Sequence, residues 1–249
     1  GRIHGAAEVR SAVAQARSAG FANLNLDLMY ALPDQGLGEA RADLVQALAL
    51  APEHLSYYQL TLEPNTPFHA APPLLPAHDL AADMYQQGIE ILAGAGYAQY
   101  EVSAFAQKVA LRSRHNLNYW HFGDYLGIGA GAHGKVTRPL VGKVGRWRKP
   151  RHPKAYLTAA GRSGRMRAGE CALEPADIVL EFAINALRLT EGFDVQLFER
   201  HAGLALVRID PYFQRALADG LLQRRGARIR PTERGRLFLD DLVQYFAPA

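Results

Sequence analysis

Cysteine is almost absent from this sequence, and long apolar runs are absent altogether. The 249 residues include a single cysteine, Cys171, so a disulfide framework is impossible and a reducing cytoplasm is the expected setting. No apolar run approaches the roughly 20 residues that a helix needs to cross a bilayer. Neither sign of charge dominates, since 28 basic residues face 24 acidic ones. The charge balance therefore names no partner by itself.

Apolar residues make up 49% of the chain, which is enough for one large domain and one small one. We predict a first domain over residues 1–160 and a second over 170–249. A shift in composition near 162–169 indicates a linker between them. The chain begins with glycine instead of methionine, so we expect it to be part of a longer protein.

Helical and strand-like segments alternate in the first hundred residues. Apolar spacing predicts helices over 6–19, from Leu37 to about Leu48, and over 78–95. The segments FANLNLDLMYALP, HLSYYQLTLEP and YAQYEVSAF read as strands. This βαβαβ order has connections long enough for parallel strands.

Each predicted strand carries a row of polar side chains. These rows are Asn23, Asn25 and Asp27; Tyr57, Gln59, Thr61 and Glu63; and Gln99, Glu101 and Ser103. Parallel strands buried on both faces are almost wholly apolar, so the pattern favours a barrel whose inner face lines a ligand chamber. An ordinary sheet with one solvated face is the alternative. Two or three βα units cannot close a barrel, so an upstream portion is expected.

The segment HNLNYW contains the best single candidate for a metal ligand, His115. A neutral imidazole binds iron well, and Tyr119 and Trp120 are placed to flank a flat macrocycle. Asn116 and Asn118 are small polar groups able to orient the imidazole. A histidine in a loop beside core aromatics is the alternative, and spacing alone favours it.

A glycine-rich segment, LGIGAGAHG, follows shortly afterwards. It includes a formal G-x-G-x-x-G over 129–134, but a dinucleotide site needs a helix directly after the glycines. Here Lys135 begins a segment that reads as extended chain. The glycines are better explained by a ligand that approaches the backbone closely, and His133 either points at that ligand or packs.

Residues 135–154 carry eight basic side chains and no acidic one. Such a stretch suits a solvated face, a site for propionates or another carboxylate, or nucleic acid. Near the end of the chain, two short extended runs flank Gly226 and a helix follows, which is the outline of a winged helix. Because a polar ligand chamber argues for small-molecule work, we expect no nucleic-acid partner.

Several strings together resemble the HemW heme chaperone family, which is related to HemN, the oxygen-independent coproporphyrinogen III oxidase. They are GRIHG, NLDLMYALPDQ, LSYYQLTLEPNT, YEVSAFA, RHNLNYWHFGDYLGIGAGAHGK and TERGRLFLDDL. The resemblance runs along nearly the whole chain. It implies an α/β fold: the C-terminal part of a partial (β/α)6 radical-SAM barrel plus a small, winged-helix-like HemN C-terminal domain. It also implies that the chain is N-terminally truncated.

The resemblance implies a protein that binds heme and delivers it to respiratory membrane enzymes. In this family the H-N-x-x-Y-W histidine is associated with heme binding, which makes His115 the implied ligand of heme iron. Because the oxidases lack this motif, its presence favours a chaperone over an oxygen-independent coproporphyrinogen III oxidase-like enzyme of porphyrin biosynthesis. No catalytic residue is assigned. A cytoplasmic location is implied, with membrane association through partners, and a homodimer is left open.

The family's other implied cofactors are S-adenosyl-L-methionine and a [4Fe–4S] cluster. By resemblance, the contacts to S-adenosylmethionine fall on Arg2, Asp27, Thr61 and His133. The family's C-x-x-x-C-x-x-C loop would precede the first residue, and Cys171 alone cannot hold a cluster. This chain by itself is therefore not expected to cleave S-adenosylmethionine.

Overall fold

The computed structural model describes residues 5–138, 141–161 and 167–248. The chain divides into two compact units, Gly1–Arg112 and Ser113–Ala249. Arg2 and most of the predicted linker lie outside the described residues. The family domains predicted over 1–160 and 170–249 remain a prediction.

The first unit is a four-stranded mixed sheet with helices. Its strands are β1 (Asn25–Tyr30), β2 (His54–Gln59), β3 (Ala98–Glu101) and β4 (Ala104–Ala106), and its helices are α1 (Ala6–Ser18), α2 (Leu37–Ala49), α3 (Pro67–Ala70) and α4 (His78–Gly94). The strand order is β1-β2-β4-β3, in which β1 and β2 are parallel and β4 is antiparallel to both of its neighbours.

The predicted parallel pairing is therefore correct for the first two strands and wrong for the third. The segment YAQYEVSAF does not run as one strand, because the chain turns at Val102 and Ser103 and returns as β4. That returning strand lies between β2 and β3 and takes the hydrogen-bonding positions that a parallel neighbour of β2 would use.

The core of the first unit lies between this sheet and α2 and α4. Leu55, Tyr57 and Phe105 belong to it and are at most 1% exposed. The prediction that Tyr57 faces the ligand chamber is wrong. Its hydroxyl donates to the carbonyl of Met84, and any Cβ at Gly88 of α4 would lie 2.2 Å from its ring. A tyrosine in this strand is apolar enough to fill the helix side of the sheet.

The second unit contains two three-stranded sheets, β5-β6-β7 and β8-β10-β9. Its strands are β5 (His133–Arg138), β6 (Lys143–Arg148), β7 (Gly169–Ala172), β8 (Phe193–Asp194), β9 (Leu222–Arg225) and β10 (Arg228–Pro231). Its helices are α5 (Arg114–Trp120), α6 (Pro153–Ala160), α7 (Pro175–Ala186), α8 (Gln196–Ala202), α9 (Asp210–Ala218), α10 (Glu233–Leu237) and α11 (Leu239–Gln244). Cys171 is an exposed residue of β7.

The last part of this unit has the order of a winged helix: α7, α8 and α9, then a β-hairpin, then α10. The hairpin turns at Gly226, whose φ of 59° suits glycine, as the sequence predicts. Phe182 anchors the core, with ring centroids 5.3 Å from Phe193 and 5.1 Å from Phe198 in edge-to-face contacts. No helix in the described ranges is both long and apolar enough to cross a bilayer.

Candidate functional site

One face of the first unit's sheet carries polar side chains, and we call it the polar face. In the register of β1 and β2, Asn25 lies opposite His54 and Asp27 lies opposite Ser56, so all four share this face. The Asn25 side-chain amide donates from Nδ2 to Asp27 Oδ1 at 2.8 Å. Its Oδ1 accepts from Ser56 Oγ at 3.2 Å. Asn25 and Asp27 are exposed, so this face is open to a ligand in the first unit.

His54 is the buried part of the polar face. Its side chain lies 2.6 Å from Asn25 Oδ1 through Nδ1 and 2.7 Å from the Tyr100 hydroxyl through Nε2. Burial lowers the pKa of His54 below its usual value and outweighs the attraction of Asp27, which acts the other way. The polar rows predicted from the sequence do not include His54 or Tyr100. The signal was available, since His54 and Ser56 alternate with the apolar Leu55.

Thr61 and Glu101 occupy different positions relative to this face. Thr61 lies beyond the end of β2, is exposed, and donates from Oγ1 to Glu63 Oε1 at 2.8 Å. Because Thr61 is not part of β2, the alternation of side chains along that strand does not determine which way Thr61 faces. Glu101 lies opposite Ala104, which lies opposite Ser56, so Glu101 shares the polar face and is 2% exposed. Arg2 lies outside the described residues.

In the second unit, the H-N-x-x-Y-W motif forms α5. His115 and Tyr119 are one helical turn apart, and their ring centroids lie 4.8 Å apart in an edge contact. Tyr125 continues the series at 4.6 Å from Tyr119, and we call these three side chains the aromatic row. The Tyr125 hydroxyl accepts from Arg146 Nη1 at 2.8 Å, which fixes the far end of the row. His115 itself is exposed.

The other face of α5 has a structural role. Leu117 and Trp120 pack against the second unit's core, and the Arg188 guanidinium carbon lies 4.4 Å from the Trp120 ring centroid. Trp120 therefore does not flank a group held by His115, contrary to the expectation. Asn118 donates to the carbonyl of Asp124 at 3.1 Å instead of to the imidazole. His115 lies in a helix, whereas the alternative interpretation places it in a loop.

The glycine-rich segment is held tightly against neighbouring backbone. A Cβ at Gly127 would lie 2.0 Å from the His133 carbonyl oxygen, and Gly131 N donates to the carbonyl of Pro150 at 2.8 Å. Gly129 has a φ of 105°, which disfavours other residues. Strand β5 follows directly at His133, which is exposed, so the geometry of a dinucleotide-binding turn is not present.

Lys135 does not fit the interpretation of residues 135–154 as a solvated face. It is 1% exposed, and its Nζ donates to the Phe122 carbonyl at 2.8 Å, to Thr137 Oγ1 at 2.9 Å and to Asp124 Oδ1 at 3.1 Å. The same ammonium lies 3.8 Å from the Phe122 ring centroid. Burial lowers the pKa of Lys135, against the opposing attraction of Asp124. This cluster joins the end of the H-N-x-x-Y-W segment to β5.

The described residues do not offer ligands for an iron–sulfur cluster. No group of three or more histidine, cysteine or acidic side chains within these ranges is arranged to hold a metal ion. Cys171, the only cysteine of the chain, is exposed on β7. A [4Fe–4S] cluster requires several thiolates, so this chain does not fit that group.

Comparison with known proteins agrees with this architecture. Residues 173–238 match the family model described as "HemN C-terminal domain". Over 99% of its length the chain is 46% identical to the heme chaperone HemW of Escherichia coli, and it covers 63% of that protein. The chain is thus similar to the HemW heme chaperones along nearly its whole length. A HemW of Bacillus subtilis is 32% identical, again over 99% of this chain and 64% of the relative.

The chain spans a little under two thirds of the length of these curated relatives. Among solved structures it is similar to coproporphyrinogen III oxidase (HemN) of Escherichia coli, a radical-SAM enzyme, with a TM-score of 0.74 and 20% identity. That match covers 98% of this chain and 59% of the oxidase. The predicted fold is confirmed: an α/β chain with the radical-SAM fold of HemN and a HemN C-terminal domain.

Proposed function

We propose that the full-length protein is a heme-binding chaperone of the radical-SAM superfamily that delivers heme to respiratory enzymes. The relatives named heme chaperones support this proposal. The observation that carries it is the exposed His115 at the end of the aromatic row. In the ranges that the structure describes, no hydrogen bond engages its imidazole, so either ring nitrogen is open to a metal. A neutral imidazole is a common axial ligand of heme iron.

The row suits a flat macrocycle as well as an iron atom. His115 and Tyr119 project from the same side of α5, and the edge contact between their rings limits the orientations of the imidazole. The phenol of Tyr119 and the exposed apolar side chains of Leu126 and Ile128 supply apolar surface in the same unit. Cationic side chains of the basic stretch, such as Arg148, would meet propionates by charge-assisted hydrogen bonds.

The proposal includes S-adenosylmethionine as a cofactor of the full-length protein. Asp27 would accept hydrogen bonds from its ribose or amino group, and Arg2 would meet its carboxylate. Thr61 and His133 complete the contacts carried over from the family. The [4Fe–4S] cluster, which supplies redox chemistry when bound, would be held by residues outside this chain. The proposed recipient is a respiratory membrane enzyme, and the proposed location is the cytoplasm, with membrane association through that recipient.

Titration of the full-length protein with heme tests the site. A Soret band typical of histidine-ligated heme is expected, and it should weaken and shift in His115→Ala. His152→Ala removes another exposed histidine of the second unit and should bind heme as the unaltered protein does. An unchanged spectrum for His115→Ala would remove this residue from the site.

The HemN-like fold supports a second candidate, a coproporphyrinogen III oxidase-like enzyme. The two functions differ in their products. Full-length protein with a reconstituted cluster, S-adenosylmethionine, a reductant and coproporphyrinogen III should yield no protoporphyrinogen if the protein is a carrier. Turnover to protoporphyrinogen would favour the oxidase.

A further inference from the structure

The polar face contains a series of hydrogen bonds that links Asp27, Asn25, His54 and Tyr100. The carboxylate of Asp27 determines which group donates and which accepts in each of them. A carboxylate only accepts, so the Asn25 amide must direct its NH2 group to Asp27 and its oxygen to His54. Since an amide oxygen only accepts, His54 must carry its proton on Nδ1. Its Nε2 is then an acceptor, and the Tyr100 hydroxyl donates to it at 2.7 Å.

The series runs from the interior of the first unit to its surface. Tyr100 is 1% exposed and His54 is 4% exposed, whereas Asn25 and Asp27 are exposed. The Arg112 guanidinium carbon lies 5.3 Å from the Tyr100 ring centroid, so the buried end is itself covered. The Tyr100 hydroxyl and the His54 imidazole are held in one arrangement, because breaking either hydrogen bond of the imidazole would leave a buried polar group unsatisfied.

We propose that Tyr100, His54 and Asn25 are positioning residues, which orient the carboxylate of Asp27 toward the bound ligand. This inference rests on the proposed function, in which Asp27 contacts S-adenosylmethionine. Asn25 occupies one lone pair of Asp27 Oδ1 and limits rotation of the carboxylate, so that Oδ2 stays directed at the ligand. His54 and Tyr100 in turn hold the Asn25 side chain in one orientation. An exposed amide without these buried partners would rotate more freely.

Binding of S-adenosylhomocysteine, which keeps the ribose and amino group but is not cleaved, tests this on the full-length protein. We expect affinity to fall about tenfold in Asn25→Ala, which deletes the bond to the carboxylate, and several-fold in His54→Phe and Tyr100→Phe. The loss should decrease with distance from Asp27 along the series. Tyr100→Phe removes one hydroxyl and no ring, which makes it the mildest of the three changes.

Tyr57→Phe is the matched control for Tyr100→Phe. It also deletes a buried tyrosine hydroxyl of the same sheet, but on the helix side, where the hydroxyl donates to Met84. Both variants should lose some thermal stability, and only Tyr100→Phe should lose affinity. Equal affinities for the two variants would overturn the positioning role.

Asp27→Ala separates this inference from the proposed site. Loss of binding in Asp27→Ala, together with unaltered binding in His54→Phe and Tyr100→Phe, would retain the site and reject the positioning residues. Unaltered binding in Asp27→Ala would reject the site itself.

Nitrogen-15 spectra of the imidazole give a readout that does not depend on the ligand. We expect His54 to be neutral, with a protonated Nδ1 and an unprotonated Nε2, and Asn25→Ala to introduce the other tautomer. Tyr57→Phe should leave the spectrum unchanged. A protonated Nε2 in the unaltered protein would show that the series does not run in the proposed direction.

Discussion

The polar face of the first unit and the aromatic row of the second differ in how their polar groups are satisfied. On the polar face, His54 uses both ring nitrogens within the protein. In the aromatic row, the imidazole of His115 has a ring contact with Tyr119 but no hydrogen bond among the described residues. One imidazole is therefore part of the hydrogen-bonded interior, and the other is exposed. The two histidines thus differ in how their imidazoles are satisfied.

The second unit also contains a buried, hydrogen-bonded side chain close in sequence to an exposed one. Lys135 is fully paired inside it, close in sequence to His133, which is exposed. A buried ammonium with three oxygen partners holds the segment that follows α5, at Phe122 and Asp124, to β5. The exposed residues can then bind a ligand without also supporting the fold.

Lys135→Ala should give the largest effect. It removes the ammonium from Phe122 O, Thr137 and Asp124 and leaves a cavity, so we expect a loss of about 3 kcal/mol in unfolding free energy. Urea unfolding followed by tryptophan fluorescence measures it, since Trp120 and Trp147, the two tryptophans of the chain, both belong to the second unit.

Lys143→Ala is the control for this change, because Lys143 is an exposed residue at the start of β6. It should alter the unfolding free energy by no more than about 0.5 kcal/mol. Equal losses for the two lysines would show that the buried cluster does not anchor the unit.

Gly134→Ala should give the next largest effect. Its added Cβ would lie 2.2 Å from the ring of Trp147, the residue that pairs with Gly134 in the β5–β6 ladder. We expect overpacking to lower the unfolding free energy by about 2 kcal/mol. At Gly145 of the same pair the nearest atom to a Cβ lies 3.9 Å away, so Gly145→Ala should be close to neutral. A neutral Gly134→Ala would indicate that Trp147 moves aside at little cost.

The paired state of His54 predicts a smaller, pH-dependent effect. Its folded-state pKa lies below the ordinary value of 6.5. As the pH falls below the ordinary value of 6.5, His54 takes up a proton in the unfolded chain but not in the native chain. The free energy of unfolding therefore declines as the pH falls, until the pH reaches the lower pKa of the folded state. His54→Phe should reduce the difference in Tm between about pH 7.5 and about pH 5.5. His121, whose pKa burial also lowers, should leave a residual slope. An undiminished slope would show that His54 titrates normally.

The local elements were predictable, and the pairings that build the sites were not. Apolar periodicity predicted α1, α2 and α4, and glycine predicted the hairpin at Gly226. The place of β4 between β2 and β3 depends on a turn at Val102 and Ser103, which short-range alternation does not reveal. The burial of Lys135 depends on oxygens of Phe122, Asp124 and Thr137, and the first two lie outside residues 135–154, so the composition of that stretch does not reveal them. Such pairings belong to tertiary structure.

His115→Ala should have the smallest effect on stability, which makes it the sharpest test of the comparison. The imidazole is exposed and loses only its edge contact with Tyr119, so the unfolding free energy should change by less than about 0.5 kcal/mol. The same urea series used for Lys135→Ala measures it. Tyr119→Phe, which keeps the ring contact, serves as the reference. A loss as large as that of a core substitution would mean that His115 supports the fold, and the weakened heme binding expected for this variant would then no longer identify an axial ligand.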